Sequence, residues 1–175
     1  MTPPSTRTVP LERSFDRSAF RCGQPELERY IRKQALQDTR RRVAQVFVLP
    51  GEEAGQILGF YSLSAAAFSK GKLPPPEARS LPHYPVPAAI IGRLAVDSRF
   101  QGRGLGRLLL FDALWRIVAA SETLGVYAVV VDAISPTASN FYGKYGFASF
   151  PDQPLRLFLP MKTVVRALAQ VQADR

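Results

Sequence analysis

The stretch from Ile90 to Leu110, I-I-G-R-L-A-V-D-S-R-F-Q-G-R-G-L-G-R-L-L-L, leaves few choices of fold. The apolar run from Ala88 to Val96 suits a buried strand. It passes through a short glycine-rich turn into an apolar-periodic helix expected from Leu105 to about Ser121, with Gly125 as its stop. Glycines at 102, 104 and 106 let backbone N–H groups face a ligand without Cβ interference, and the start of the helix adds its unpaired donors. Phosphate is the expected guest. The spacing is neither G-x-G-x-x-G, because Arg107 stands three residues after Gly104, nor the G-x-x-x-x-G-K-[ST] of a P-loop.

The rest of the chain supplies the partners such a unit needs. Leu27, Tyr30, Ile31 and Ala35 fall on one face of a helix that starts at Pro25. Val43 to Leu49 and Gln56 to Ser64 read as an antiparallel hairpin, joined by the Pro50 to Gly55 turn. Residues 70 to 87 hold six scattered prolines, too many for a helix or a central strand, and a loop of this length is expected to be functional or mobile. His83 in that loop lacks a visible carboxylate partner. Tyr127 to Asp132 reads as a strand buried on both faces and parallel to the 88–96 strand. A short helix over Pro136 to Tyr145 with Gly146 as its cap, strands at 147–150 and 155–159, and a helix over Met161 to Val171 complete an α/β (α+β) chain. One domain spanning 1–175 is expected, with residues 1–14 as an extended surface lead-in that holds a short strand near Thr8 to Leu11.

Composition narrows the setting. The single cysteine, Cys22, excludes an internal disulfide and a thiol metal cluster, and with His83 as the only histidine no metal site is expected. No apolar run approaches 18 residues and no signal pattern opens the chain, which points to a cytoplasmic protein with no membrane contact. Twenty-three Lys and Arg against 14 Asp and Glu give +9. That balance favours polyanionic partners, although an arginine-rich composition can also reflect a GC-rich genome. Arg29, Arg32 and Lys33, on the polar face of the first helix, run on into Arg40, Arg41 and Arg42. This is either a solvated face or a footprint for a phosphate backbone.

Two separated constellations point to a family. Gln101-x-x-Gly104-x-Gly106, behind a strand ending Leu94-Ala95-Val96-Asp97, resembles the acetyl-CoA pyrophosphate loop of the GNAT N-acetyltransferases. Farther on, Phe141-Tyr142-x-Lys144-x-Gly146-Phe147 is similar to their second signature. The resemblance implies the GNAT fold, a mixed central sheet with a splayed strand pair and flanking helices. It also implies acetyl-CoA as co-substrate, with the pyrophosphate on Gln101, Gly102, Arg103, Gly104, Leu105, Gly106 and Arg107 and the pantetheine arm along Leu94, Ala95 and Val96. Phe141 is expected beside the cofactor or in the core. A phenol near the thioester sulfur can protonate a leaving thiolate, a role that falls to Tyr142. The asparagine that many relatives place six residues earlier is Pro136 here, which removes one pantetheine contact.

The acceptor is read from a missing group. A lysine amine, with a pKa of about 10.4, needs a base, whereas an α-amine near 7.7–8.0 is already partly neutral. Ala88 to Val96 carries no carboxylate, and its polar residue is Arg93. The strings F-x-C-G-x-P-x-L-x-x-Y-I-R at 20–32, L-G-F-Y-S-L-S at 58–64, V-V-D-A-I at 130–134 and L-R-L-F-L-P-M at 155–161 resemble the GNAT toxins of bacterial type II toxin–antitoxin modules. That resemblance implies acetylation of the α-amine of aminoacyl-tRNA and block of translation. It further implies a ribbon-helix-helix antitoxin as partner, and leaves a homodimer open. Charged tRNA would lie over Arg29, Arg32, Lys33 and Arg40 to Arg42, with Arg93 at its acceptor end. Two alternatives stand beside this reading. One is an acetyltransferase of small amines or protein N-termini; the other is a non-enzymatic module that keeps CoA as a structural ligand.

Overall fold

The computed structural model describes residues 7–174. In chain order it contains strand β1 (Val9–Pro10), helix α1 (Pro25–Arg29), helix α2 (Ala35–Arg40), strands β2 (Gln45–Pro50) and β3 (Ile57–Phe68), and the short helix α3 (Pro75–Ala78). These are followed by β4 (Val86–Val96), α4 (Leu105–Ser121), β5 (Ala128–Asp132), α5 (Pro136–Gly143), β6 (Ala148–Phe150), β7 (Gln153–Pro160) and α6 (Met161–Ala173). The class is mixed α/β, and it is organised as two compact units. One comprises residues up to 64 together with 91–116, and the other comprises 65–90 with 117–174. No described helix is long and apolar enough to cross a membrane.

In the first unit the strand order is β1-β2-β3-β4. The β2–β3 hairpin pairs Val46 with Ser62 and Val48 with Phe60, so alternate residues face one core. Leu27, Tyr30, Ile31 and Ala35 are all buried in that core with Phe20, Val46, Val48 and Phe60. The helix carrying them is not uniform. Between α1 and α2, Tyr30–Gln34 form a π-helical turn, closed where the Ala35 N–H donates to the Tyr30 carbonyl. Gly59 on β3 is a point of close approach: a Cβ there would lie 2.8 Å from the Ala95 carbonyl oxygen and 2.7 Å from Leu109 Cδ1. Gly59→Ala should therefore cost about 1–3 kcal/mol by overpacking, read as a lowered urea midpoint.

The segment before α1 departs from expectation. Residues 1–6 of the anticipated lead-in lie outside the described residues; the short strand expected near Thr8 to Leu11 is present, with Val9 paired to Val48, but Thr8 and Leu11 are buried rather than at the surface. The reason is a polar network that a lead-in would not need. The Thr8 hydroxyl donates to Asp112 Oδ2, Tyr61 OH donates to the same oxygen at 2.6 Å, and the Arg7 N–H reaches Asp112 Oδ1 at 3.2 Å. Arg116 closes the network, with Nε 2.8 Å from Tyr61 OH, a guanidinium nitrogen 2.9 Å from the Thr8 carbonyl and its plane over the Phe47 ring.

In the second unit the order is β4-β5-β7-β6, with β5–β7 and β7–β6 antiparallel. Val129, Val130 and Val131 of β5 are fully buried, as a strand covered on both faces requires. The proline-rich segment does contain a helix, contrary to expectation. Pro75 and Pro76 occupy the first turn of α3, where the missing N–H has no intrahelical partner to lose. Leu73 is buried with Val130, Phe150 and Phe158, and Lys70 Nζ donates to the Leu81 carbonyl at 3.1 Å. Gly125 does not stop α4. The helix ends at Ser121, whose Oγ donates to the Val118 carbonyl, and Gly125 lies outside the left-handed region.

Candidate acetyl-CoA site and catalytic tyrosine

The glycine turn belongs to the first unit. Strand β4 ends at Val96, and Asp97 to Phe100 form a single 3-10 turn before Gln101. Gly102 and Gly104 both adopt positive φ, +78° and +77°, and nothing lies within 4 Å of where a Cβ would sit on either. Only glycine takes that backbone without strain, and the space before it is open. The Leu108 N–H donates to the Gly104 carbonyl, so Gly104 is the cap residue and Leu105, Gly106 and Arg107 present N–H groups that the helix itself cannot satisfy. Gly106 is helical, so its lack of a side chain opens the approach rather than permitting a turn. Arg103 and Arg107 are exposed, with their guanidinium groups 5.5 and 5.3 Å from the ring centres of Phe100 and Phe111. The open turn, the unpaired N–H groups and the two cations together offer the kinds of group that hold a diphosphate.

What holds the turn was only partly expected. Gln101 uses its side chain internally, donating from Nε2 to the Val96 carbonyl at 2.9 Å and to the Cys22 carbonyl at 3.2 Å. Its own N–H, rather than its carboxamide, is what it can offer a ligand, and the Val96 carbonyl already carries one bond. Leu94 and Val96 are half-buried, while Ala95 is buried. Asp97, fully buried, accepts from the Arg99 N–H and Nε at 3.0 Å each and from the Arg21 N–H at 3.2 Å. Burial alone would raise its carboxyl, but the Arg99 side chain and the two amides together outweigh burial and hold it below its ordinary value. A depressed carboxyl adds stability that is complete above about pH 4 and fades as pH falls through the folded value. Asp97→Asn should lower the urea midpoint at pH 7 by more than at pH 3, and an equal loss at both would remove the charge from this account. Cys22 is buried and its thiol is pushed up by desolvation, which leaves it an inert core residue beside the brace.

Arg93 sits on β4 in the same unit. Its N–H donates to Ser62 Oγ at 3.1 Å and its guanidinium stacks 4.0 Å above the ring centre of Tyr30. Burial pushes the Tyr30 phenol up to about 12, and its hydroxyl is buried without a partner among the described residues. Of the basic helix, Arg29, Lys33, Arg40, Arg41 and Arg42 are exposed, and Arg42 has a left-handed backbone at φ 58°. Arg32 differs from expectation: it is half-buried, lies 3.5 Å from Glu28 and donates to the Phe20 carbonyl, so it braces the helix.

Tyr142 and Phe141 belong to the second unit, on α5. Ser135 caps that helix by accepting from the Ala138 N–H, and Pro136 fills its first turn, which gives the unexpected proline a structural role. At the other end the Phe147 N–H reaches the Tyr142 carbonyl and the Gly146 N–H the Gly143 carbonyl, with Gly146 at φ +93°. This is a Schellman cap, in which Gly146 supplies the left-handed residue. The Tyr142 ring is buried and packs edge-on against Phe141 at 5.2 Å and Phe147 at 5.7 Å. Burial raises its phenol far above the ordinary value. Such a group stays protonated and keeps a proton to give.

Comparison with known proteins decides the family. The acetyltransferase (GNAT) domain matches residues 42–149, more than half of the chain. The chain belongs to the GNAT acetyltransferases. Among GNAT relatives, a tRNA-acetylating toxin of Mycobacterium tuberculosis is 38% identical over 147 residues, 84% of this chain and 87% of that protein. The solved structure of AtaT complexed with acetyl-methionyl-tRNAfMet is similar with a TM-score of 0.85 at 25% identity, covering 92% of this chain and 98% of that one. AtaTR bound with acetyl-CoA gives 0.80 at 26% identity, over 92% and 96%. The glycine turn and the tyrosine-bearing helix thus fall in a chain similar to a tRNA-acetylating toxin, to AtaT in complex with acetyl-methionyl-tRNAfMet and to AtaTR bound with acetyl-CoA.

Proposed function

We propose that this chain is an acetyl-CoA-dependent N-acetyltransferase toxin whose acceptor is the α-amine of an aminoacyl-tRNA. The observation that carries the reading is the 38% identity to a tRNA-acetylating toxin, extending over 84% of the chain. The chemistry of the residues supports it. The pyrophosphate of acetyl-CoA takes the N–H groups of Gln101 to Arg107, with Arg103 and Arg107 adding charge. In this reading Leu94, Ala95 and Val96 bind the pantetheine arm, and Phe141 is a further cofactor residue. The acceptor nitrogen attacks the thioester carbonyl, the C–N bond forms as the C–S bond breaks, and the Tyr142 hydroxyl gives its proton to the departing thiolate. The amine loses a proton to solvent, and Tyr142 is reprotonated from water. No carboxylate on β4 is needed to deprotonate the acceptor, because an α-amine is already partly neutral near pH 7. Arg93 meets the acceptor end of the tRNA, and Arg29, Lys33 and the Arg40 to Arg42 run meet its backbone. The net charge of +9 suits that partner. In this reading a ribbon-helix-helix antitoxin encoded alongside is the protein partner, and tRNA as the substrate points to the cytoplasm.

The test is transfer of labelled acetyl from acetyl-CoA to a pool of charged tRNAs, beside uncharged tRNA, free amino acids and a lysine peptide. Label on charged tRNA alone supports the proposal, and the labelled amino acid then gives specificity. Label on free amines or on the peptide, with none on tRNA, would refute it.

A further inference from the structure

Apart from the glycine turn, the first unit carries a cavity of about 620 Å³ between two chain segments. Arg13 and Arg17 form one wall, and Lys33, Leu36, Gln37 and Arg40 form the other. A second cavity of about 350 Å³ continues past Lys33 toward the start of the helix, between Pro25, Glu28, Arg29 and Arg32. The helical positions recur at intervals of three and four, so the two cavities follow one face. Four cations and no carboxylate line the larger one. In the smaller one, Glu28 is already engaged by Arg21 at 3.8 Å and Arg32 at 3.5 Å.

Bare cations facing one another across a cleft repel unless an anion lies between them. One arginine in each cavity also holds a donor with no partner. The Nε atoms of Arg17 and Arg32 are buried without a hydrogen-bond partner, while another Arg17 nitrogen donates to the Arg32 carbonyl at 3.1 Å and fixes the guanidinium in place. The face from residue 25 to 40 runs roughly 22 Å at about 1.5 Å per residue, longer than one phosphate and long enough for several in succession. Its apolar lining is confined to Pro25 and Leu36, too little to anchor a peptide side chain.

We infer that this two-walled groove grips the sugar-phosphate backbone of the RNA, with Arg13 and Arg17 on one side of a phosphate and Lys33 and Arg40 on the other, and Arg29 on the next. The inference rests on the proposed aminoacyl-tRNA acceptor and adds a wall, Arg13 and Arg17, that lies far from the basic helix in sequence. Arg41 and Arg42 line neither cavity.

The experiment uses the full chain with Arg13→Gln plus Arg40→Gln, and a charge-keeping Arg13→Lys plus Arg40→Lys. Binding of uncharged tRNA is followed by fluorescence anisotropy against salt. Acetyl transfer is compared between charged tRNA and an aminoacyl-adenosine that has no phosphate backbone. The Gln pair should weaken tRNA binding at least about tenfold and flatten the log K against log salt slope by about 1.5, while the Lys pair keeps most of the slope. In the Gln pair, transfer to charged tRNA should fall further than transfer to aminoacyl-adenosine. Unchanged affinity and slope would overturn the inference, as would equal loss with both acceptors, or loss of binding to an acidic antitoxin peptide with RNA affinity intact. Salt-dependent tRNA binding that falls in the Gln pair, with no acetyl reaching any tRNA, would uphold the groove and refute the acceptor assignment.

Discussion

Tyr142→Phe should lower kcat by about 10²–10⁴-fold while KM for acetyl-CoA changes little. The substitution removes one oxygen. Everything else that places the residue survives, because the ring contacts to Phe141 and Phe147 need no hydroxyl and the Tyr142 carbonyl still receives the Phe147 N–H. Thermal unfolding should therefore be close to wild type, which separates loss of a proton donor from loss of fold. The raised phenol makes a second point. An ordinary tyrosine ionises near pH 10, whereas this one stays protonated higher still, so kcat should show no downturn up to pH 9 from loss of this acid. Steady-state rates over pH 6–9 on both proteins check both points. A kcat within threefold of wild type would take Tyr142 out of the chemistry.

The largest effect on stability is expected at Asp112. Its carboxylate holds Thr8, Tyr61 and the Arg7 amide, and lies 3.4 Å from Arg116 Nε. Asp112→Ala leaves a half-buried guanidinium and two buried hydroxyls without their acceptor, a loss of about 3–5 kcal/mol and roughly 10 °C in Tm. Asp112→Asn keeps the shape and part of the hydrogen bonding, and should lose about half as much. Thr8→Val removes a single hydroxyl and should cost about 1 kcal/mol. Urea unfolding of the three variants orders them. A loss below 1 kcal/mol for Asp112→Ala would show that the network is incidental.

Most elements were legible because their signals are local. The Leu105 start of α4 follows from glycines at its door, and the Pro25 start of α1 from a proline that suits a first turn. The glycine turn was legible for the same reason, since glycine spacing records backbone geometry directly. What was missed depends on contacts far apart in sequence. Asp112 and Arg116 stand four apart on an apolar helix, a pairing that could have signalled a buried ion pair, but their partners Thr8 and Tyr61 lie 104 and 51 residues from Asp112. Arg32 reads as a surface cation until Glu28 and the Phe20 carbonyl are seen beside it. Arg13 and Arg17 gave no signal, because nothing local ties that segment to Lys33 and Arg40. Pro75 and Pro76 misled in the opposite direction: proline content argues against a helix interior and says little about a first turn.

The first unit is assembled from two stretches of chain, residues up to 64 and 91–116. On the ribosome, then, Thr8 is made long before the carboxylate that will hold it. At about 5–20 residues per second, the 104 residues between Thr8 and Asp112 represent roughly 5–20 s of elongation. For most of that interval neither β4 nor the glycine turn has been synthesised. A nascent chain truncated before Gln101 should therefore carry neither a closed first unit nor the glycine turn, and so should lack acetyltransferase activity.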